Sequence, residues 1–237
     1  MANFSPLDFA AIIWFLFIAV FYSWYSEAGP KSHTTLTAYM NRQRESWLRI
    51  AVKRELRIVD TTIVNGLQNG TAFFASASLL GIGGCFTILR SSNEVFGILK
   101  DLPLSVADNQ VQWEIKVFGL LVIYAYAFFK FGWSFRLWNY ASILIGALPL
   151  PEETDKDKTE KALQSALAMN RIAGQHFNRG LRTFFLSIGF IGWFIGPIAF
   201  IIATTWIVIV LYRRQFSSDS RLAAEMGMSE TPIDGAK

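Results

Sequence analysis

The chain has 237 residues, 52% of them hydrophobic, and a mean hydropathy of +0.33, with the apolar residues gathered into blocks instead of spread at a helical or strand period. This excludes an ordinary soluble domain, and the single cysteine, Cys85, excludes an intrachain disulfide and a cysteine-based metal centre within one chain. A net charge of +4 with a pI near 9.2 points to basic loops on the cytoplasmic face of a membrane protein and not to a nucleic-acid partner.

The first apolar block, residues 9–25, follows a segment without Lys or Arg, so it lacks the positive region of a cleavable signal and reads as an uncleaved membrane helix despite Ser26-Glu27-Ala28. A basic connection comes next, with Lys31, Arg42, Arg44, Arg49, Lys53, Arg54 and Arg57. Within it, residues 37–66 carry Leu48, Val52, Leu56, Val59 and Ile63 at helical spacing, which predicts a cytoplasmic amphipathic helix. Asn65-Gly66 and Asn69-Gly70 are expected to break or bend its junction with the second span, 71–89. That span is rich in small residues. Gly66, Gly70, Gly81 and Gly84 are its candidates for close helix contact, and Gly81-Ile82-Gly83-Gly84 has neither the preceding strand nor the following Lys of a phosphate loop.

The third span runs from Lys116 to Arg136, whose twenty steps at about 1.5 Å match a hydrocarbon core about 30 Å thick. Lys130 then lies about two thirds of the way across, near enough to the edge to snorkel, with Trp133, Trp138 and Tyr140 as an aromatic belt. After Pro149, Pro151 and a cluster of acids, a second cytoplasmic helix is expected over 159–182. Leu163, Leu167, Asn170, Ala173 or Gly174, Phe177 and Leu181 form one of its faces; Arg171, Gln175, Asn178 and Arg182 form another. Its stripe and that of 37–66 are expected to bury against 141–148. The fourth block, 183–212, is about 46 Å of helix from Arg182 to Arg213, and it reads as one tilted span kinked near Pro197, with Gly192 and Gly196 as a packing pair. Residues 217–237 read as a flexible tail.

These elements make an all-α membrane protein: one helical membrane domain over 1–216, four transmembrane helices, and long cytoplasmic extensions that form a small bundle. The basic connections put the first loop in the cytoplasm and both termini outside, and Arg213 and Arg214 oppose that assignment. The candidate polar positions are Asp60, Asn65, Gln68, Asn69, Lys130, Arg136, Asn139, His176, Asn178, Arg179 and Arg182. Lys130 and Arg136 suit an anion or lipid headgroup, Arg179 suits phosphate, and His176 is of the residue type that suits a switch near neutral pH. The same side chains also suit simpler roles as helix anchors and a solvated basic face. Asp60 is expected to pair with Arg136, Arg179 or Arg182. There is no His-Glu-x-x-His, no Cys-x-x-Cys and no acid and His pair set around Ser134 or Ser142, so no metal, cofactor or catalytic residue is assigned.

Arg57-Ile58-Val59-Asp60, the small-residue second span, Trp133-Ser134-Phe135-Arg136, Asn139-Tyr140-Ala141-Ser142-Ile143-Leu144-Ile145-Gly146-Ala147 and Phe177-Asn178-Arg179-Gly180-Leu181-Arg182 together resemble an uncharacterised membrane family of bacteria and plants catalogued as a domain of unknown function. The resemblance covers most of the chain except the tail. It implies a bacterial inner-membrane location and supplies neither ligand nor catalytic residue. The leading functional reading is a non-enzymatic oligomeric scaffold or accessory subunit with a basic cytoplasmic face, its partners being the bilayer, anionic headgroups and further subunits. A homo-oligomeric channel or transporter-like protein is the alternative, with Lys130, Arg136, Asn139 and the Asn65-Gln68-Asn69 group along the route. An enzyme acting on lipid headgroups is a minor one.

Overall fold

The computed structural model describes residues 4–92 and 110–229, and among them every regular element is helical. The helices are α1 (Pro6–Ala28), α2 (Leu36–Ala51), α3 (Ile58–Arg90), α4 (Gln110–Gly146), α5 (Lys156–Ile191), α6 (Pro197–Phe216) and α7 (Asp219–Ser229), with short 3-10 turns at Ser32–Thr34 and Gly192–Phe194. Several starts follow from local chemistry. Ser5 Oγ accepts from the Asp8 amide while Asp8 Oδ2 accepts from the Ser5 amide, a reciprocal cap on α1. Thr35 Oγ1 caps the Ala38 amide of α2, and Asp155 Oδ1 caps Lys158 of α5. Four helical stretches are long and apolar enough to cross a membrane: Pro6–Ala28, Ile58–Arg90, Gln110–Gly146 and Pro197–Gly227. The connection between the second and third apolar blocks, whose charges include Glu94, Lys100, Asp101 and Asp108, lies largely outside the described residues.

The chain divides into two compact units. The first comprises the described parts of Met1–Ser23, Gly70–Ser134 and Gln175–Ile209. Its contacts fix the direction of five helical segments. Lys116 Nζ donates to the Trp193 carbonyl, a Cβ on Gly119 would lie 2.7 Å from Phe190, and one on Gly180 would lie 2.7 Å from Phe131, so α4 and α5 run antiparallel. Gly81 lies against Tyr124 and Phe74 stacks on Phe131, so α3 and α4 are antiparallel too. Phe15 of α1 meets Phe190 and Phe200, Trp14 Nε1 donates to Thr205 Oγ1, and Trp193 Nε1 donates to Asp8 Oδ1. Residues 23, 70, 134, 175 and 209 therefore leave this unit at one end, opposite the turn at 192–194.

That turn overturns the single kinked span expected over 183–212. A Cβ on Gly189 would lie 2.9 Å from Thr204 Cα and one on Gly192 would lie 2.9 Å from the Ala199 carbonyl, so α5 and α6 fold back on each other as a hairpin. Gly192 opens the 3-10 turn, and Pro197, whose missing N–H costs nothing in a first turn, opens α6. The first arm begins far upstream: α5 is one 36-residue helix in which the polar segment 175–182 precedes the apolar one.

The second unit comprises the described parts of Trp24–Asn69, Phe135–Gly174 and Val210–Lys237. Leu48 and Ala51 of α2, Val64 of α3, Leu137, Trp138, Ala141 and Ile145 of α4, Leu148, and Leu163, Ala166, Leu167 and Ala173 of α5 form one buried core. The stripes of α2 and α5 thus meet 141–148 as expected. The helix predicted over 37–66 is broken, however, at 52–57 and not at the glycines. The Lys53 and Arg54 amides turn back to the Ile50 and Ala51 carbonyls, and α3 then continues through Gly66 and Gly70. The apolar spacing loses its meaning across that break: Leu48 is buried, whereas Leu56, Val59 and Ile63 are exposed. The tail expected to be flexible contains α7, which is tied to α2 by Tyr39 Oη to Glu225 at 2.7 Å and by Gln43 Nε2 to the Gly227 carbonyl, with Arg221 Nε donating to the Thr34 carbonyl just ahead of α2.

Candidate functional site

Polar chemistry in the second unit is concentrated among α2, the 52–57 connection, the start of α3 and the facing parts of α4 and α5. Asp60 is fully buried in the first turn of α3, and its Oδ1 accepts from Arg54 Nη1 at 2.6 Å and from Trp47 Nε1 at 2.7 Å. Its partner is therefore Arg54, six residues away, and not Arg136, Arg179 or Arg182. The short break between helices makes this local pairing possible. Arg57 uses its fork differently, donating to the Leu148 carbonyl at 2.6 Å and the Pro149 carbonyl at 2.5 Å beyond the end of α4. Those carbonyls lie past the last helical residue, where no helical N–H can reach them, so a guanidinium there satisfies them and ties down the chain after α4.

Arg49 pairs with Glu45 and Glu160, and Arg171 pairs with Glu45. Arg44 is different. Its Nη1 donates to Asn41 Oδ1 at 2.7 Å, its guanidinium lies 5.8 Å from the Trp138 ring centre, and no carboxylate among the described residues pairs with it. Burial pushes the Arg44 guanidinium below its ordinary pKa range. Beside it Gly174 makes room, since a Cβ there would fall 2.8 Å from Nη1. Asn170 is fully buried with both amide atoms unpartnered, and Trp138 Nε1 is buried and unpartnered too. Each such group costs about 1–3 kcal/mol when nothing answers it. Asn170 falls on the apolar stripe of the sequence, and an amide on that face is the signal that marks this place.

Of the remaining candidates in this unit, Gln68 Nε2 donates to Asn139 Oδ1 at 2.8 Å, joining α3 to α4, and Arg136 Nε donates to Tyr140 Oη at 2.7 Å on the same helix. Asn65 and Asn69 are exposed. Gly66 and, in the first unit, Gly70, Gly83 and Gly84 would each meet nothing within 4 Å of an added Cβ, so the outer side of α3 is open. Gly81 and Gly192 do make close contacts, whereas Gly196 does not.

In the first unit, the Lys130 ammonium lies 5.0 Å from the Tyr126 ring centre, and His176 meets Trp133 edge to face at 6.5 Å. His176, Asn178, Arg179 and Arg182 are half-buried. At the opposite end Asp8, Lys116 and Trp193 form a buried polar group absent from the sequence candidates. Their separation along the chain leaves no local motif to find. Between α1 and α4 lies an apolar cavity of about 350 Å³, backed by Phe190, Trp193 and Phe200.

The fold and these groups define an all-helical protein with four membrane-span-like helices. The chain belongs to the family described as Protein of unknown function, DUF599, which matches residues 10–220. No curated protein and no solved structure matches it.

Proposed function

We propose that the protein is a non-enzymatic, multi-pass protein of a bacterial inner membrane that self-associates along α3 and holds a basic helical unit in the cytoplasm. The observation that carries this reading is the outer side of α3. Asn65, Gly66, Asn69, Gly70, Ser76, Gly83, Gly84 and Thr87 are all exposed there, and the glycines have open space at the Cβ position. Lipid tails gain little from packing against glycine, and an asparagine amide finds its best partner in another amide, so a second copy answers both needs. The test is native mass in nanodiscs with Gly83→Leu as the disrupting change. A dimer or larger assembly that dissociates in the variant supports the reading; a monomeric wild type sinks it.

The five antiparallel segments favour an odd number of passes. The basic clusters that follow residue 23, precede residue 70, follow 134 and precede 175 then share one face with Arg213 and Arg214. The N-terminus would lie outside and the C-terminus inside, and the charges that oppose a four-span arrangement become part of the rule. A route for ions through an oligomer is the second reading, favoured by the half-buried Lys130 within the third span. Unchanged liposome flux in Lys130→Ala would dismiss it.

A further inference from the structure

We propose that the apolar slot between α1 and α4 holds one acyl chain of a membrane phospholipid. The slot lies wholly within the first unit, and its volume of about 350 Å³ is that of a small-ligand site. Every residue that lines it is aliphatic, aromatic or glycine, so it offers nothing to an ion or a polar solute.

Its shape follows from what the two helices hold in common. Asp8 of α1 and Lys116 of α4 both bond to Trp193, and Phe15 and Gly119 both meet the ring of Phe190, so α1 and α4 run side by side in the same direction. The floor is a set of buried rings, Phe190, Trp193 and Phe200, whose centroids lie 5.2 to 5.5 Å apart. The lips, Leu16 on one side and Phe118 and Val122 on the other, are exposed, so the slot opens away from the bundle, toward the lipid around these span-like helices.

Two dimensions choose the occupant. Phe190 alone reaches both walls, and a gap that one ring bridges is too narrow for a helix about 10 Å across with its side chains. Along α4 the lining runs from Ile115 to Ile123, eight steps or about 12 Å, against about 15 Å for half of the hydrocarbon core. An extended hydrocarbon chain has this width and this length, and no polar atom to strand. Acyl chains surround the helices anyway, so hydrophobicity gives no preference for the slot; a chain is held there because it touches two walls and a floor that would otherwise lack contacts. The Ile115 end lies beside Lys116 and the 192–194 turn, so the lipid comes from the leaflet on that side. Which face of the cell this is rests on the orientation proposed above, whereas the slot does not.

The test uses the full chain in phosphatidylcholine nanodiscs doped with a phosphatidylethanolamine that carries a diazirine midway along one acyl chain. After irradiation, labelled residues are mapped by mass spectrometry. Wild type is expected to take on the order of tenfold more label at 12–16 and 115–123 than at the comparably exposed Ile198 and Ile202 of α6. Val122→Phe puts a ring into the slot from an exposed lip, so it should fold and lose the excess, and Leu16→Phe does the same from the other wall. Ile202→Phe, outside the slot, should keep it. The proposal is overturned if label spreads evenly over the exposed faces of α1, α4 and α6, or if a folded filling variant labels like wild type. It is equally overturned if a diazirine fatty acid labels the slot and the phospholipid does not, or if Val122→Cys in a Cys85→Ser background joins two chains by a disulfide, which would make a second copy the occupant.

Discussion

The two units are held together by different physics. In the first, segments approach through missing side chains, with Gly189 against the Thr204 backbone and Gly119 and Gly180 under Phe190 and Phe131, and through rings such as Phe15, Phe190, Trp193 and Phe200. In the second, an apolar core is bordered by ion pairs, by the Arg57 staple and by capped helix ends. On the proposed placement, a segment surrounded by lipid gains nothing by hiding leucine from water, so shape must hold it, whereas a unit in water gains from every stripe it buries. The contrast predicts that the same kind of substitution has opposite consequences in the two units.

The largest effect is expected from Gly189→Val, because backbone lies where the new carbons must go. Folded yield in mild detergent should collapse, a destabilisation of about 3 kcal/mol or more by overpacking. Gly66→Ala, with open space at the Cβ position, should leave yield and Tm unchanged. Next comes Asp60→Ala in the second unit. It strands the Trp47 and Arg54 donors, and because Arg54 is partly exposed the loss should be about 2 kcal/mol, less than for a wholly buried pair. Arg57→Ala should cost about 1–2 kcal/mol as two carbonyls lose their donor, and it should raise proteolysis near Leu150. Tyr39→Phe is the smallest change, about 0.5–1 kcal/mol for one lost hydrogen bond to Glu225, read as earlier exchange of α7 amides. If all five substitutions proved equally damaging, the distinction between the units would have no energetic basis.

The first three spans, the buried stripes of α2 and α5 and their meeting with 141–148 were legible because hydropathy and helical spacing are local properties. The hairpin was not, since averaging over 183–212 joins two apolar arms, and Gly192 and Gly196-Pro197 suit a kink as well as a turn. What decides is the approach of Gly189 to Thr204, a tertiary fact. Likewise α7 owes its place to Tyr39 and Thr34, far back in the chain. Asp60 stood out in the sequence as an acid beside a basic run. Its partner was sought on distant helices because an unbroken helix over 37–66 would carry Arg54 and Asp60 away from each other. Among the groups at Arg44, only Asn170 left a trace, as a polar residue on an apolar face, while the role of Gly174 depends on which side chain fills the space.

The hairpin can be tested most directly by placing single cysteines in a Cys85→Ser background and labelling intact cells with a membrane-impermeant maleimide. The account predicts that Ile195→Cys, at the exposed turn, is labelled from outside, while Lys31→Cys and Ser220→Cys both react only after the membrane is opened. Labelling of Ser220→Cys from outside, with Lys31→Cys protected, would contradict it and restore a single span across 183–212.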